Sequence, residues 1–273
     1  MFKIRDFSPL HIWHSLAASK RIKSLGLRSA GQLDHLGNLI VATFFELGAT
    51  IALGCFRPFN LAKRNVQVAV PDEKTPILLI HGYLGHSSDW LYHRYYLKKS
   101  GCGRVFAMNL VKPFQSIEEY ALTVKLQHEE IIKTTGRKDL IIIGHSMGGI
   151  IAASYATNPS ASGSVTDVVT IGSPLQGTKM ALLGIGSGCK QMRYQSDFIQ
   201  KLNEKMAKAT QTRFCHIGTP TDLILSPAQS AWPETPGAKK LKVDRLGHAS
   251  LLFSRRVSEH LKNYILNRSG VAA

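Results

Sequence analysis

The chain has 273 residues and an ordinary apolar content of 44%. It can therefore bury a full core as one large α/β domain or two small ones, and the disordered and collagen-like classes are excluded. Its 34 basic against 18 acidic residues leave a net charge of +16, which favours contact with anionic surfaces and reads as leaning toward a membrane surface or as simply solvating; with no nucleic-acid motif and no run of five or more like charges, nucleic acid is not expected.

Residues 1–65 form a basic N-terminal region distinct in composition from the rest of the chain. Residues 1–35 carry Lys3, Arg5, Lys20, Arg21, Lys23 and Arg28 against Asp6 and Asp34, and 38–56 is an apolar run interrupted by Glu46 alone. Three readings of this run stay open: a helix packed on the domain, a membrane-associating or spanning segment, or part of an export signal. The long basic region before it and the lack of a clear A-x-A site disfavour a signal. Glu46 near the middle of a span costs about 2.5–3.5 kcal/mol. Basic residues flank both ends (Arg28; Arg57, Lys63 and Arg64), so the orientation is undecided. The chain is expected to be membrane-associated through 38–56, or otherwise cytoplasmic.

From residue 66 onward, strands and helices alternate. Strands are expected at 66–70, 77–82, 104–110, 140–143, 165–174, 212–220 and 240–243, and helices at 88–99, 117–135, 150–156 and 250–266. Alternation of this kind predicts a mostly parallel sheet covered by helices on both faces. The insertion 179–210 carries Met192, Phe198, Ile199, Leu202 and Met206 on one helical face. A helix of that pattern fits a small cap over a site, or a helix packed on the core. Cys55, Cys102, Cys189 and Cys215 lie far apart without ligand spacing, so neither a disulfide nor a metal site is expected.

The chemistry centres on Gly144, Ser146 and Gly148, which match G-x-S-x-G between the apolar run Leu140 to Ile143 and a helix-compatible segment. A serine on a tight strand-to-helix turn is lifted clear of the sheet, and side chains at the two glycines would collide with strand or helix. A nucleophilic serine needs a base, an orienting acid and oxyanion donors. Asp222 comes after the strand 212–220 and His248 after 240–243, which gives the order Ser, acid, His. Asp244, Glu234 and Asp197 are the other acids considered. His216 reads as a core histidine, His145 as packed beside the site, and His81 as a brace for its loop. The backbone N–H groups of Met147 and Tyr83, with Leu84 next, are the expected oxyanion donors.

Residues 81–85 (HGYLG), 144–149 (GHSMGG), 171–181 (IGSPLQGTKMA), 220–227 (PTDLILSP) and 246–252 (LGHASLL) together resemble the α/β-hydrolase superfamily, in particular its bacterial lipase and inositol-deacylase-like esterase branch. The resemblance spans roughly residues 75–266. It implies carboxylic ester hydrolysis, often of lipids, with no cofactor and no metal. The chain departs from the family's GTPHxGT segment, having Ser173 for threonine and Leu175-Gln176 for His-x. The expectation is a serine ester hydrolase acting on lipid or phospholipid acyl esters through an acyl-enzyme on Ser146, His248 and Asp222. An acyltransferase or thioesterase on the same triad, or a catalytically silent membrane-associated interaction module, remains an alternative.

Overall fold

Short apolar runs at the centre of the sheet, such as Ile77–Ile80 and Leu140 to Ile143, dictate the architecture, because strands buried on both faces read as continuous hydrophobic sequence. The computed structural model describes residues 30–57, 73–110, 112–161 and 163–268; the strand expected at 66–70 lies outside the described residues. Strands β1 (Ile77–Ile80), β2 (Val105–Met108), β3 (Leu140–His145), β4 (Val165–Ile171), β5 (Arg213–Gly218) and β6 (Lys239–Lys242) pair in parallel in the order β2-β1-β3-β4-β5-β6. The lysine-rich edge strand β6 is the most exposed, and charged lysines there discourage pairing with another chain.

Alternate residues of each strand feed two core layers. Leu78, Ile80, Leu140, Ile142 and Val168 face one layer, under helices α3 (Ile117–Thr135) and α4 (Met147–Ala156). Ile77, Leu79, Ile141, Ile143 and Val169 face the other, under α2 (Leu91–Lys99) and α7 (Arg255–Asn267). Each fully buried Leu or Ile stabilises the fold by roughly 1.5–3 kcal/mol. Helix α3 starts where the sequence places it, with Ser116 and Glu119 forming a capping box, and stops at Gly136 with φ 72°, a left-handed cap that glycine adopts without strain.

Some boundaries differ from expectation. The helix read at 88–99 opens with a 3-10 turn at Ser87–Trp90. The one read at 250–266 is a 3-10 turn, Ser250–Phe253, followed by α7, whose first turn is capped by Ser254 accepting from the Val257 N–H. β4 stops at Ile171, short of 174, because Gly172 has φ 53° and Pro174 lies just beyond. At the amino-terminal end of the sheet, buried Asp167 accepts from Arg213, Arg268 and Tyr264 at 2.9–3.0 Å and ties α7 to the strands. Burial alone would raise its pKa; the hydrogen bonds from Arg213, Thr166 and Arg268 outweigh this and hold it below the ordinary value.

The insertion comprises a 3-10 turn at Lys179–Leu182, α5 (Ser187–Gln191) and α6 (Asp197–Lys208). The apolar face of α6, with Ile199, Leu202 and Met206, is buried in the core layer beside α4. Helix α1 (Ala30–Phe56) docks on the domain by a narrow stripe. Ala42 and Ala49 are buried, Leu53 packs against the second core layer, and Phe56 meets the Phe253 ring at 6.1 Å. Its outer face leaves Ile40, Phe44, Phe45, Leu47 and Ile51 more than half exposed, Phe44 at 76%. By length and composition Leu36–Phe56 is long and apolar enough to cross a membrane, and 11% of it is buried against the domain.

Candidate active site

β1 and β3 lie side by side where the strand order reverses, so the loops leaving their carboxyl ends enclose a crevice of the kind that binds ligands in α/β sheets. Ser146 sits there between β3 and α4 with φ 55° and ψ −125°. A non-glycine residue in that region is strained, and it persists because its surroundings fix it. A β-carbon on Gly144 would lie 2.3 Å from the Gly148 carbonyl, and one on Gly148 would lie 2.2 Å from the Ile80 carbonyl oxygen. Both contacts are with backbone, which cannot yield as a flexible side chain does. Gly148→Ala should therefore destabilise the fold by at least about 3 kcal/mol, a Tm drop on the order of 6–12 °C at roughly 2–4 °C per kcal/mol for a domain of this size. A thermal melt within about 2 °C of wild type would contradict this reading of the turn.

Asp222 comes after β5, and its Oδ1 accepts from the Ile224 and Leu225 N–H groups at 2.9 and 3.0 Å. Its Oδ2 accepts from His248 Nδ1–H at 2.8 Å. That contact assigns the Nδ1–H tautomer and leaves Nε2 as the basic nitrogen. Burial of His248 disfavours its charged form, yet the charge and hydrogen bond of Asp222, joined by the Glu46 carboxylate, outweigh burial and raise its pKa above 6.5. The other acids are engaged elsewhere: Glu234 pairs with Lys240 at 2.6 Å and Asp244 with Lys242 at 3.5 Å, while Asp197 is exposed in the first turn of α6. The Ser146 hydroxyl makes no hydrogen bond among the described residues.

Known proteins share this arrangement of strands and helices. A family model described as the PGAP1-like alpha/beta domain matches residues 116–218. A lipase from Bacillus licheniformis (BlEst2, mature form) superposes with a TM-score of 0.60 at 16% identity, covering 73% of this chain and 96% of that one. An alpha/beta hydrolase enzyme from a lagoon-sediment metagenome of Mar Chica, Morocco, has a TM-score of 0.54 at 21% identity, covering 73% and 94%. Aspergillus fumigatus lipase B has a TM-score of 0.60 at 16% identity, covering 71% of this chain and 53% of its own. The chain has the α/β-hydrolase fold.

In this α/β-hydrolase fold the loop after β1 passes directly against the serine: a β-carbon on Gly82 would lie 2.8 Å from Ser146 Cβ. His81 braces that loop. Its Nδ1–H donates to the Gly82 carbonyl at 2.8 Å, and its Nε2 accepts from the Leu110 N–H at 3.0 Å. Burial lowers its pKa to about 4, so it stays neutral. Tyr83 and Met147 both line a cavity of about 170 Å³ bounded also by Phe114 and Tyr120. The Tyr83 hydroxyl donates to the Ile185 carbonyl at 3.0 Å and accepts from the Ile185 N–H at 3.1 Å, which pins the exposed apolar loop of the insertion above the crevice. Leu175, where the resembling segment has histidine, is fully buried in the core, and Ser173 packs against Gly149.

Two further histidines have bonded, buried roles. His145 Nε2–H donates to the His248 carbonyl at 3.1 Å, with the two rings 4.7 Å apart; burial, and after it the proximity of His248, pushes its pKa well down. His216 is buried in β5 with Nδ1 2.9 Å from the Thr170 hydroxyl. Sequence reasoning did not connect Glu46 to this site. Its carboxylate accepts from the Ala249 and Ser250 N–H groups at 2.7 and 3.0 Å, next to His248. The signal was a lone acid in an apolar run, which needed a partner somewhere.

Proposed function

We propose that this chain is a serine hydrolase of carboxylic esters that acts on lipid or phospholipid acyl esters at a membrane surface. The observation that carries the reading is the 2.8 Å Asp222–His248 pair held at the same end of the sheet as a strained serine elbow. Ser146 Oγ attacks the acyl carbonyl while His248 Nε2 takes its proton, and Asp222 keeps the imidazole oriented and stabilises the imidazolium. Backbone N–H groups of Tyr83 and Met147 receive the developing oxyanion. The imidazolium then gives its proton to the departing alcohol, leaving an acyl-enzyme. Water, deprotonated by His248, attacks that ester; as the acyl–Oγ bond breaks, the imidazolium returns the proton to Ser146 Oγ and the carboxylic acid leaves. No step calls for a metal or an organic cofactor.

The lipid part of the reading is supported by the exposed apolar face of α1, the exposed Leu182, Leu183 and Ile185 beside the crevice, and the net charge of +16. Two of the proteins sharing the fold are lipases by name. The test is hydrolysis of p-nitrophenyl esters from short to long acyl chains, with and without anionic phospholipid vesicles. The expected result is activity that rises with chain length and with vesicles and is absent in Ser146→Ala. Ser146-dependent activity confined to short chains and indifferent to vesicles would remove the surface-acting part of the proposal. Consumption of the acyl group only when an alcohol or thiol acceptor is added would replace hydrolysis with acyl transfer.

The base must be neutral to work, so kcat/KM should rise as pH passes upward through the raised pKa of His248. The acid limb of the profile is expected to have its midpoint above the ordinary histidine value of 6.5. A midpoint below it would contradict the raising of the His248 pKa by its bond to Asp222 and the nearby charge of Glu46.

A further inference from the structure

Helix α1 meets the loop that carries His248 through a polar contact. Glu46 is the one acidic residue in 38–56. Its Oε1 accepts from the Ala249 N–H at 2.7 Å and its Oε2 from the Ser250 N–H at 3.0 Å. These two amides open the 3-10 turn Ser250–Phe253, where backbone donors have no partner within the turn itself. A carboxylate bridging consecutive N–H groups makes charge-assisted bonds, roughly twice as strong as neutral ones. Gly247 makes room for it: a β-carbon there would lie 2.4 Å from Glu46 Oε2.

The neighbouring bonds show what this clamp completes. Before His248, the Gly247 N–H donates to Ser250 Oγ at 2.7 Å. At His248 the backbone carbonyl accepts from His145 and the ring donates to Asp222. After it, both amides go to Glu46. Three of these tethers come from the hydrolase domain; the last comes from a helix 203 residues away in sequence. Asn38 of the same helix accepts from Arg245 of the His248 loop at 3.0 Å, and Arg57, just beyond the helix, donates to the Leu84 carbonyl in the loop after β1 at 2.8 Å.

We propose that Glu46 is a positioning residue of this catalytic centre: from helix α1, its carboxylate fixes the loop that presents His248. The inference rests on reading Ser146, His248 and Asp222 as the triad. The titratable groups facing His248 are Asp222, His145 and Glu46. Of these, Asp222 and Glu46 favour the imidazolium, and burial of His145 keeps it neutral. Glu46 therefore acts on His248 in two separable ways, through the geometry of the loop and through its charge.

The experiment compares wild type, Glu46→Gln, Glu46→Ala and Ser146→Ala on p-nitrophenyl acetate, a soluble ester that makes no demand on a membrane. Thermal melts and kcat/KM against pH are recorded for each. Glu46→Ala is expected to lower kcat on the order of 10²-fold, the scale of a 1 Å misplacement, with KM changed less than about two-fold. Glu46→Gln retains one oxygen acceptor and should lose less kcat. With the carboxylate gone, the imidazolium is less favoured, so the acid limb should move to lower pH in Glu46→Gln. If Glu46→Ala does not fold, the acid limb and kcat of Glu46→Gln decide. The proposal is overturned if the folded variants keep wild-type kcat and acid limb, or if lost activity only tracks the folded fraction. Ser146→Ala separates the two levels: if it is dead while the Glu46 variants behave as wild type, only the positioning role fails. If Ser146→Ala retains wild-type turnover, the triad reading itself fails.

Discussion

Ser146→Ala should lower turnover of any carboxylic ester by a factor on the order of 10⁶, because a triad stripped of its nucleophile keeps only binding and oxyanion stabilisation. The fold should survive. The hydroxyl makes no hydrogen bond among the described residues, so its removal orphans no buried partner. The strained backbone at φ 55° is as costly for alanine as for serine. The change in unfolding free energy should stay below about 1 kcal/mol. Steady-state hydrolysis of p-nitrophenyl butyrate and a thermal melt on the same preparation check both halves. Residual turnover above a few per cent of wild type would place the nucleophile elsewhere.

Asp222→Asn should cost on the order of 10⁴-fold in kcat with little change in stability. Asparagine keeps the Oδ1 position that accepts from the Ile224 and Leu225 N–H groups. It loses the acceptor that meets His248 Nδ1–H at 2.8 Å. An amide N–H in that place turns the imidazole to the opposite tautomer, and Nε2 then carries a proton and no longer serves as base. The measurement is kcat at alkaline pH, where wild-type His248 is neutral and only the tautomer differs. A near-normal rate would dismiss Asp222 as the acid and return Asp244 or Glu234 to consideration, although both are paired with surface lysines.

How much of this was legible in the sequence depends on how local the physics is. The elbow could be read because its requirements fall within a few residues: an apolar strand run, two glycines with backbone on either side, and a helix-compatible segment. That Asp222 and His248 meet could be read because a parallel α/β sheet delivers each loop to the same end, so order along the chain becomes proximity in space. The amphipathic face of the insertion was visible at Ile199, Leu202 and Met206, but periodicity says only that a face is buried, not against what. It packs on the core, and the part poised above the crevice is the exposed loop held through Ile185 and Tyr83. The split of the last helix was signalled by Ser254, a capping residue inside an apparently continuous pattern. Helix α1 was the least legible. Its stripe of Ala42, Ala49 and Leu53 looks like any apolar run, and the donors that satisfy Glu46 lie more than 200 residues away.

The measurement that bears most directly on Ser146 as an activated nucleophile is labelling with a fluorophosphonate probe and mass mapping of the adduct. The expected result is one phosphonyl group per chain on Ser146, none in Ser146→Ala, and strongly slowed labelling in Asp222→Asn. No adduct on the folded wild-type protein, or an adduct on another residue that survives Ser146→Ala, would contradict the assignment of Ser146 as nucleophile.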